Sequence, residues 1–163
     1  MLYAETNIVF EEVPGEVTLA INIAGCPVHC PGCHSPWLWK DQGRPLDKDV
    51  LAGLIARSEG ITCVALMGGD GEPDVVGHLL MSVRRTHPKL KTCWYSGRDI
   101  GMALRYVGPE ALDYLKVGSY EAARGGLASP TTNQRMYRVV RGKGRDGSAV
   151  YKYEDITPMF WKK

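Results

Sequence analysis

The chain has 163 residues, 44% hydrophobic and 23% charged, an ordinary globular composition for which one domain over residues 1–163 is expected. A formal net charge of +2 gives no reason to expect a nucleic-acid or membrane partner. The longest apolar stretch, Val17 to Ala24, is broken by Asn22 and is too short to span a bilayer, and the first residues carry an acid, Glu5, with no basic run before it. No membrane anchor and no signal peptide are therefore expected, and the expected location is cytoplasmic.

Val17 to Ala24 is β-branched and partly alternating, which predicts a strand. Gly25 to Pro36 is crowded with Pro, Gly, Cys and His and predicts a loop. Asp47 is placed to cap a helix whose apolar face carries Val50, Leu51, Leu54 and Ile55, and Gly60 ends it. Ile61 to Met67 is nearly continuous in apolar residues, as in a parallel strand covered on both faces, and Gly68-Gly69-Asp70 follows. Pro73 to Thr86 has the stripe Val75, Val76, Leu79, Leu80, Val83 of an amphipathic helix. Lys91 to Ser96, ended by Gly97, is the next strand, Ile100 to Val107 a short helix, and Tyr114 to Val117 a further strand. Two late strands, Tyr137 to Val140 and Ala149 to Tyr153, flank the turn-rich Gly142 to Ser148. Strands alternating with helices predict parallel βαβ units with right-handed crossovers. A closed eight-fold barrel usually takes about 250 residues, so the expected fold is α/β, an open partial (βα) barrel of parallel strands.

Five cysteines are present, and three of them, Cys26, Cys30 and Cys33, lie within eight residues. In a reducing compartment such a cluster reads as metal ligation rather than as disulfides. One extended residue covers at most about 3.6 Å. The three thiols of Cys26-Pro-Val-His-Cys30-Pro-Gly-Cys33 can therefore converge only on a small object, with Pro27, Pro31 and Gly32 supplying the bends. Three readings are open. Zinc would need a fourth ligand, His29 or His34, and lacks the usual second ligand pair. Unligated thiols fit a polar, proline-rich loop poorly. A four-iron cluster suits soft thiolates and leaves one iron without a protein ligand, as catalytic centres do. Cys63 and Cys93 lie inside predicted strands and read as core thiols.

The C-x3-C-x2-C spacing, placed after a strand and followed by a Gly-Gly pair after the next, resembles the radical S-adenosylmethionine superfamily. That resemblance implies a [4Fe-4S] cluster held by Cys26, Cys30 and Cys33, with S-adenosyl-L-methionine on the open iron. Gly68-Gly69-Asp70-Gly71-Glu72-Pro73 resembles the motif that holds the methionine amino group, with Asp70 matching by adjacency and Glu72 as the other acid. Gly32, Cys33 and His34 would line the nucleoside, His34 by stacking. Trp37 and Trp39 read as packing residues that pin the loop. Trp94-Tyr95-Ser96-Gly97 and Thr131-Thr132-Asn133-Gln134 are similar to stretches of the activating proteins of anaerobic ribonucleoside-triphosphate reductases, although Lys116-Val117-Gly118 departs from an acid-containing motif there.

The function this implies is an activase that cleaves the sulfonium cofactor reductively and generates a glycyl radical on the reductase. Its partners would be the glycyl-radical subunit and a one-electron donor such as a flavodoxin. No protein acid or base is expected at the key step. A small-molecule radical enzyme of the deazapurine-precursor type and a zinc-binding interaction module are the competing readings. The run Arg135, Arg138, Arg141, Lys143, Arg145 reads either as a solvated face or as a dock for an acidic partner.

Overall fold

A computed structural model describes residues 1–161. In chain order the elements are β1 (Leu2–Val9), β2 (Thr18–Ile23), β3 (Arg44–Pro45), α1 (Lys48–Ala56), β4 (Cys63–Met67), α2 (Pro73–Thr86), β5 (Lys91–Tyr95), α3 (Ile100–Tyr106), β6 (Tyr114–Val117), β7 (Arg135–Lys143) and β8 (Ala149–Asp155). All eight strands form one sheet in the order β3-β1-β2-β4-β5-β6-β7-β8. The four central strands run parallel, and β1, β3, β7 and β8 add antiparallel wings. The fold is therefore mixed α/β, an open sheet with β3 and β8 as its edges.

Side-chain alternation splits each parallel strand between two faces. Val64, Leu66, Trp94 and Leu115 point to the helices and join the main core with Leu51, Val76, Leu79, Leu80 and Val83. Cys63, Ala65, Cys93 and Tyr114 point the other way and pack with Val13, Met136 and Ile156 into a smaller core. Small side chains on that inner face leave room above it. There, at the carboxyl ends of the strands, Asn22, Met67, Tyr95 and Lys116 stand in register across β2, β4, β5 and β6.

Local chemistry sets the helix ends. The Asp47 carboxylate accepts the Val50 amide at 2.8 Å and starts α1. Pro73 occupies the first turn of α2, where its missing N–H costs nothing. At the amino end of the parallel strands, Asp113 precedes β6 and is tied to both Arg84 on α2 and Arg141 on β7 at 2.7 Å.

The strands differ from expectation in three places. The strand predicted from Val17 is the second, not the first: β1 precedes it and pairs antiparallel with it. The alternation of β1 is masked by charged and half-exposed positions, and its register comes from β2. The two-residue β3 carries no sequence signal. β7 starts at Arg135 and runs to Lys143, past the expected end, because pairing with β6 and β8 extends it through a largely polar segment.

Candidate functional site

From β2 the chain enters the cysteine loop. Gly25 and Gly32 take φ of +72° and +73°, and His29, at 48°, is the one non-glycine residue with positive φ among the described residues. The loop is anchored by Gly25 N–H to Lys40 O (3.1 Å) and Cys26 N–H to Leu38 O (2.9 Å), and turned by Cys33 N–H to Cys30 O (3.0 Å). The His29 ring lies 5.0 Å from that of Trp39. Trp39 thus packs on the loop as expected, whereas Trp37 is 53% exposed and does not.

Cys26, Cys30 and Cys33 are free and half-buried. Each sulfur faces backbone N–H donors. Tyr120 N–H reaches Cys30 Sγ at 3.3 Å and Ser35 N–H reaches Cys33 Sγ at 3.4 Å, while the Val28 and His29 amides serve Cys26. Burial pushes the Cys26 thiol up, the two amides pull it down, and the charges of Asp70 and Cys30 add to the rise, leaving it above the ordinary value.

All three sulfurs border a cavity of about 490 Å³ whose floor is the Asn22, Met67, Tyr95, Lys116 row. Gly68, Asp70 and His34 line it too. Asp70 is 2% exposed. Its carboxylate accepts Ser96 Oγ at 2.5 Å and Gly97 N–H at 2.8 Å, and its carbonyl accepts Arg98 Nη2 at 2.7 Å. Gly68 takes φ +101°, and its carbonyl accepts Trp94 Nε1 at 2.8 Å. A β-carbon on Gly69 would lie 2.6 Å from Cγ2 of the buried Val76, and the residue takes φ +91°, so a side chain there would be both crowded and strained. Lys116 is 9% exposed, with Nζ donating to Gly118 O at 2.7 Å. Burial lowers its ammonium to about 8, against the pull of Cys30, Asp70, Cys26 and Cys33, which raises it.

The sequence-predicted residues thus divide. Cys26, Cys30, Cys33, His34, Gly68 and Asp70 share the cavity. Gly69 and Glu72 instead border a second cavity of about 350 Å³ behind the loop, where Glu72 lies 3.5 Å from the Met1 amino group. Gly32 packs near the Tyr120 ring and Ala122, whose Cβ would stand 3.2 Å from a β-carbon at position 32, and His34 sits 4.6 Å from that ring. Thr132, Asn133 and Gln134 bond Gly125 O, Ser119 O and Gly118 O, and so fasten the loop that leaves β6. Of the basic run, Arg141 is spent on Asp113, and Arg135 and Arg138 lie near Asp155 and Glu154 at 3.6 and 3.7 Å. The Trp94–Gly97 stretch and Lys116 stand out in the sequence, but the bracing of Asp70 by Ser96, Gly97 and Arg98, the place of Lys116 beside the thiols and the part played by Tyr120 do not.

Gly97 joins the cysteine loop to β5. A β-carbon there would stand 2.7 Å from Val28 Cγ2 and 3.1 Å from its Cγ1. Gly97→Ala is expected to lower the unfolding free energy by about 1–3 kcal/mol through overpacking. Adding Val28→Ala should restore most of it, as chemical denaturation of the single and double variants will show; additive losses would disprove the contact.

Three soft thiol donors with amide N–H groups turned toward their sulfurs fit an iron–sulfur cluster. Among the described residues no three His, Cys, Asp or Glu side chains are gathered to hold a metal ion. A cluster, being wider than one ion, sets its thiolates further apart. No helix among the described residues is long and apolar enough to cross a membrane. Residues 13–119, from just before β2 to just past β6, match the family described as "4Fe-4S single cluster domain". No curated protein and no solved structure matches the chain.

Proposed function

The chain belongs to the 4Fe-4S single cluster domain family, and from that premise we propose that it is a cytoplasmic radical S-adenosylmethionine activase that generates a glycyl radical on an anaerobic (class III) ribonucleoside-triphosphate reductase. One observation carries the reading: the thiols of the C-x3-C-x2-C loop border the same cavity as Gly68, Asp70 and His34. When bound, the cluster would supply the one-electron reduction by which S-adenosylmethionine is cleaved to methionine and the agent that takes a hydrogen atom from the client's glycine.

Cys26, Cys30 and Cys33 would hold the cluster through their thiolates. The Gly68 carbonyl has a lone pair beyond the one that Trp94 uses, and it accepts from the methionine ammonium. Gly69 keeps that turn free of a side chain. Asp70, fixed by Ser96 and Gly97, adds negative charge beside the ammonium. His34, with the Tyr120 ring behind it, stacks on the adenine, and Gly32 lets the loop lie close against Tyr120 and Ala122. The open sheet leaves the cavity accessible to a peptide loop of the reductase, with a flavodoxin-like protein as electron donor.

Chain reconstituted with iron and sulfide under anaerobic conditions should convert S-adenosylmethionine to 5′-deoxyadenosine and methionine when dithionite is supplied. With the reductase present it should also produce a glycyl-radical signal by electron paramagnetic resonance. Reconstituted protein that holds its cluster but makes no 5′-deoxyadenosine overturns the proposal. Turnover coupled to a small molecule alone would reassign the client.

A further inference from the structure

The stretch from Lys116 at the end of β6 to Ala122 closes on the cysteine loop, with Tyr120 bonded to a residue 90 positions earlier in the chain. It brings two groups to the sulfurs. The first is the Tyr120 amide, which donates to Cys30 Sγ at 3.3 Å. The second is the ammonium of Lys116, which lines the same cavity as all three thiols. Contacts of the Tyr120 ring with His34 and of Ala122 with Gly32 seat the segment against the loop.

Lys116 is a buried cation whose one hydrogen bond goes to a carbonyl in its own segment, Gly118 O, and no carboxylate forms an ion pair with it among the described residues. The negative groups that face it are the cysteines and Asp70, and the Asp70 carboxylate is already engaged by Ser96, Gly97 and Arg98. A buried ammonium is costly unless an anion offsets it, and the anion left for it is the thiolate-bound centre. A cluster held by three thiolates is net negative and gains one further negative charge when it accepts an electron. A nearby cation, and an N–H group bonded to a ligating sulfur, both favour the reduced form.

We infer that Lys116 and the Tyr120 amide are positioning groups that set how readily the bound cluster takes up its electron. The inference rests on ligation by Cys26, Cys30 and Cys33, but not on S-adenosylmethionine chemistry.

The test is a potentiometric titration of the reconstituted full chain with dithionite and redox mediators, with the reduced cluster followed by electron paramagnetic resonance. Lys116→Met and Lys116→Gln should shift the midpoint potential to more negative values, and Lys116→Arg should stay close to the unmodified protein. Tyr120→Pro, which lacks the amide hydrogen, should also shift it negatively, while Tyr120→Phe should not. Equal potentials for Lys116→Met and the unmodified protein, at equal iron and sulfide content, overturn the inference. So does an Arg variant that moves as far as the Met variant, because packing would then be the cause. If the Lys116 variants do not retain the cluster, Tyr120→Pro against Tyr120→Phe decides, and equal values overturn it. Unmodified protein that shows no four-iron signal at all would instead refute the ligation itself.

Discussion

Alanine in place of Cys26, Cys30 or Cys33 is expected to remove the iron and the brown colour of the reconstituted protein altogether. Three thiolates are the fewest that hold a four-iron centre while leaving one iron free, so each loss takes away a third of the protein's grip. The neighbouring histidines are held elsewhere, His34 against Tyr120 and His29 against Trp39, and the Asp70 carboxylate is taken by Ser96 and Gly97. The loop is also built around each sulfur. Val28 and His29 serve Cys26, Tyr120 serves Cys30 and Ser35 serves Cys33, so an alanine also leaves amides without their acceptor. Cys63→Ala and Cys93→Ala are the contrast, since both thiols are fully buried in strands, and they should keep full iron content. Iron and sulfide assays with visible absorption on all five variants check this. An alanine variant of the loop with unmodified iron stoichiometry would falsify the ligand assignment.

Asp113→Ala should cost about 3–5 kcal/mol of stability, the range for breaking a buried charge network from one side. The Asp113 side chain is 10% exposed. It accepts Arg84 Nη1 and Arg141 Nη1 at 2.7 Å each, Thr92 N–H at 2.9 Å and Thr92 Oγ1 at 3.2 Å. It thereby ties α2, β5 and β7 to the start of β6, and its removal leaves two half-buried guanidinium groups without a counter-charge. Burial alone would raise the Asp113 carboxyl, but the bonds from Arg141 and Thr92 and the charges of Arg84 and Arg141 hold it below the ordinary carboxylate range. The sign follows from linkage. A lowered folded-state value contributes stability that is whole above the unfolded carboxylate value, about 3.9, and is lost as pH falls through the folded one. The gap between unmodified protein and variant should therefore be full at pH 5–7 and shrink in stronger acid. Denaturant unfolding at several pH values reads it; a gap below about 1 kcal/mol at neutral pH would rule out the network as a stabilising device.

Elements whose signals are local were legible in the sequence. The α2 bounds follow from Pro73 and a regular apolar stripe, the start of α1 from the Asp47 cap, and β6 from four buried residues in a row. β1 was not legible, because its burial pattern is mostly half-exposed and its place is dictated by pairing with β2. The same division holds at the site. The cysteine spacing lies within one loop and could be read directly. The contacts that complete it, Tyr120 to Cys30 and Asp70 to Ser96, span 90 and 26 residues and arise only once the parallel strands are aligned. Trp94 is likewise settled only by the fold: it is buried in the main core and its indole N–H fastens the Gly68 turn, 26 residues away in sequence.

The two ends of the open sheet also bear on how the protein behaves in concentrated solution. An unpaired strand is a template on which another chain can add by backbone pairing. On one side β3 covers only Leu2 and Tyr3 and finishes at Pro45, which has no N–H to offer, and Ala4 to Val9 of β1 make up the rest of that border, with the polar Glu5 and Asn7 exposed along it. The other border is seven residues long, and Lys152, Glu154 and Asp155 stand exposed along it, so that an incoming chain would have to desolvate charges of both signs. Edge-to-edge aggregation is thus disfavoured along β8 without closing the sheet into a ring, and the stretch of β1 beyond Tyr3 is the border on which another chain could add.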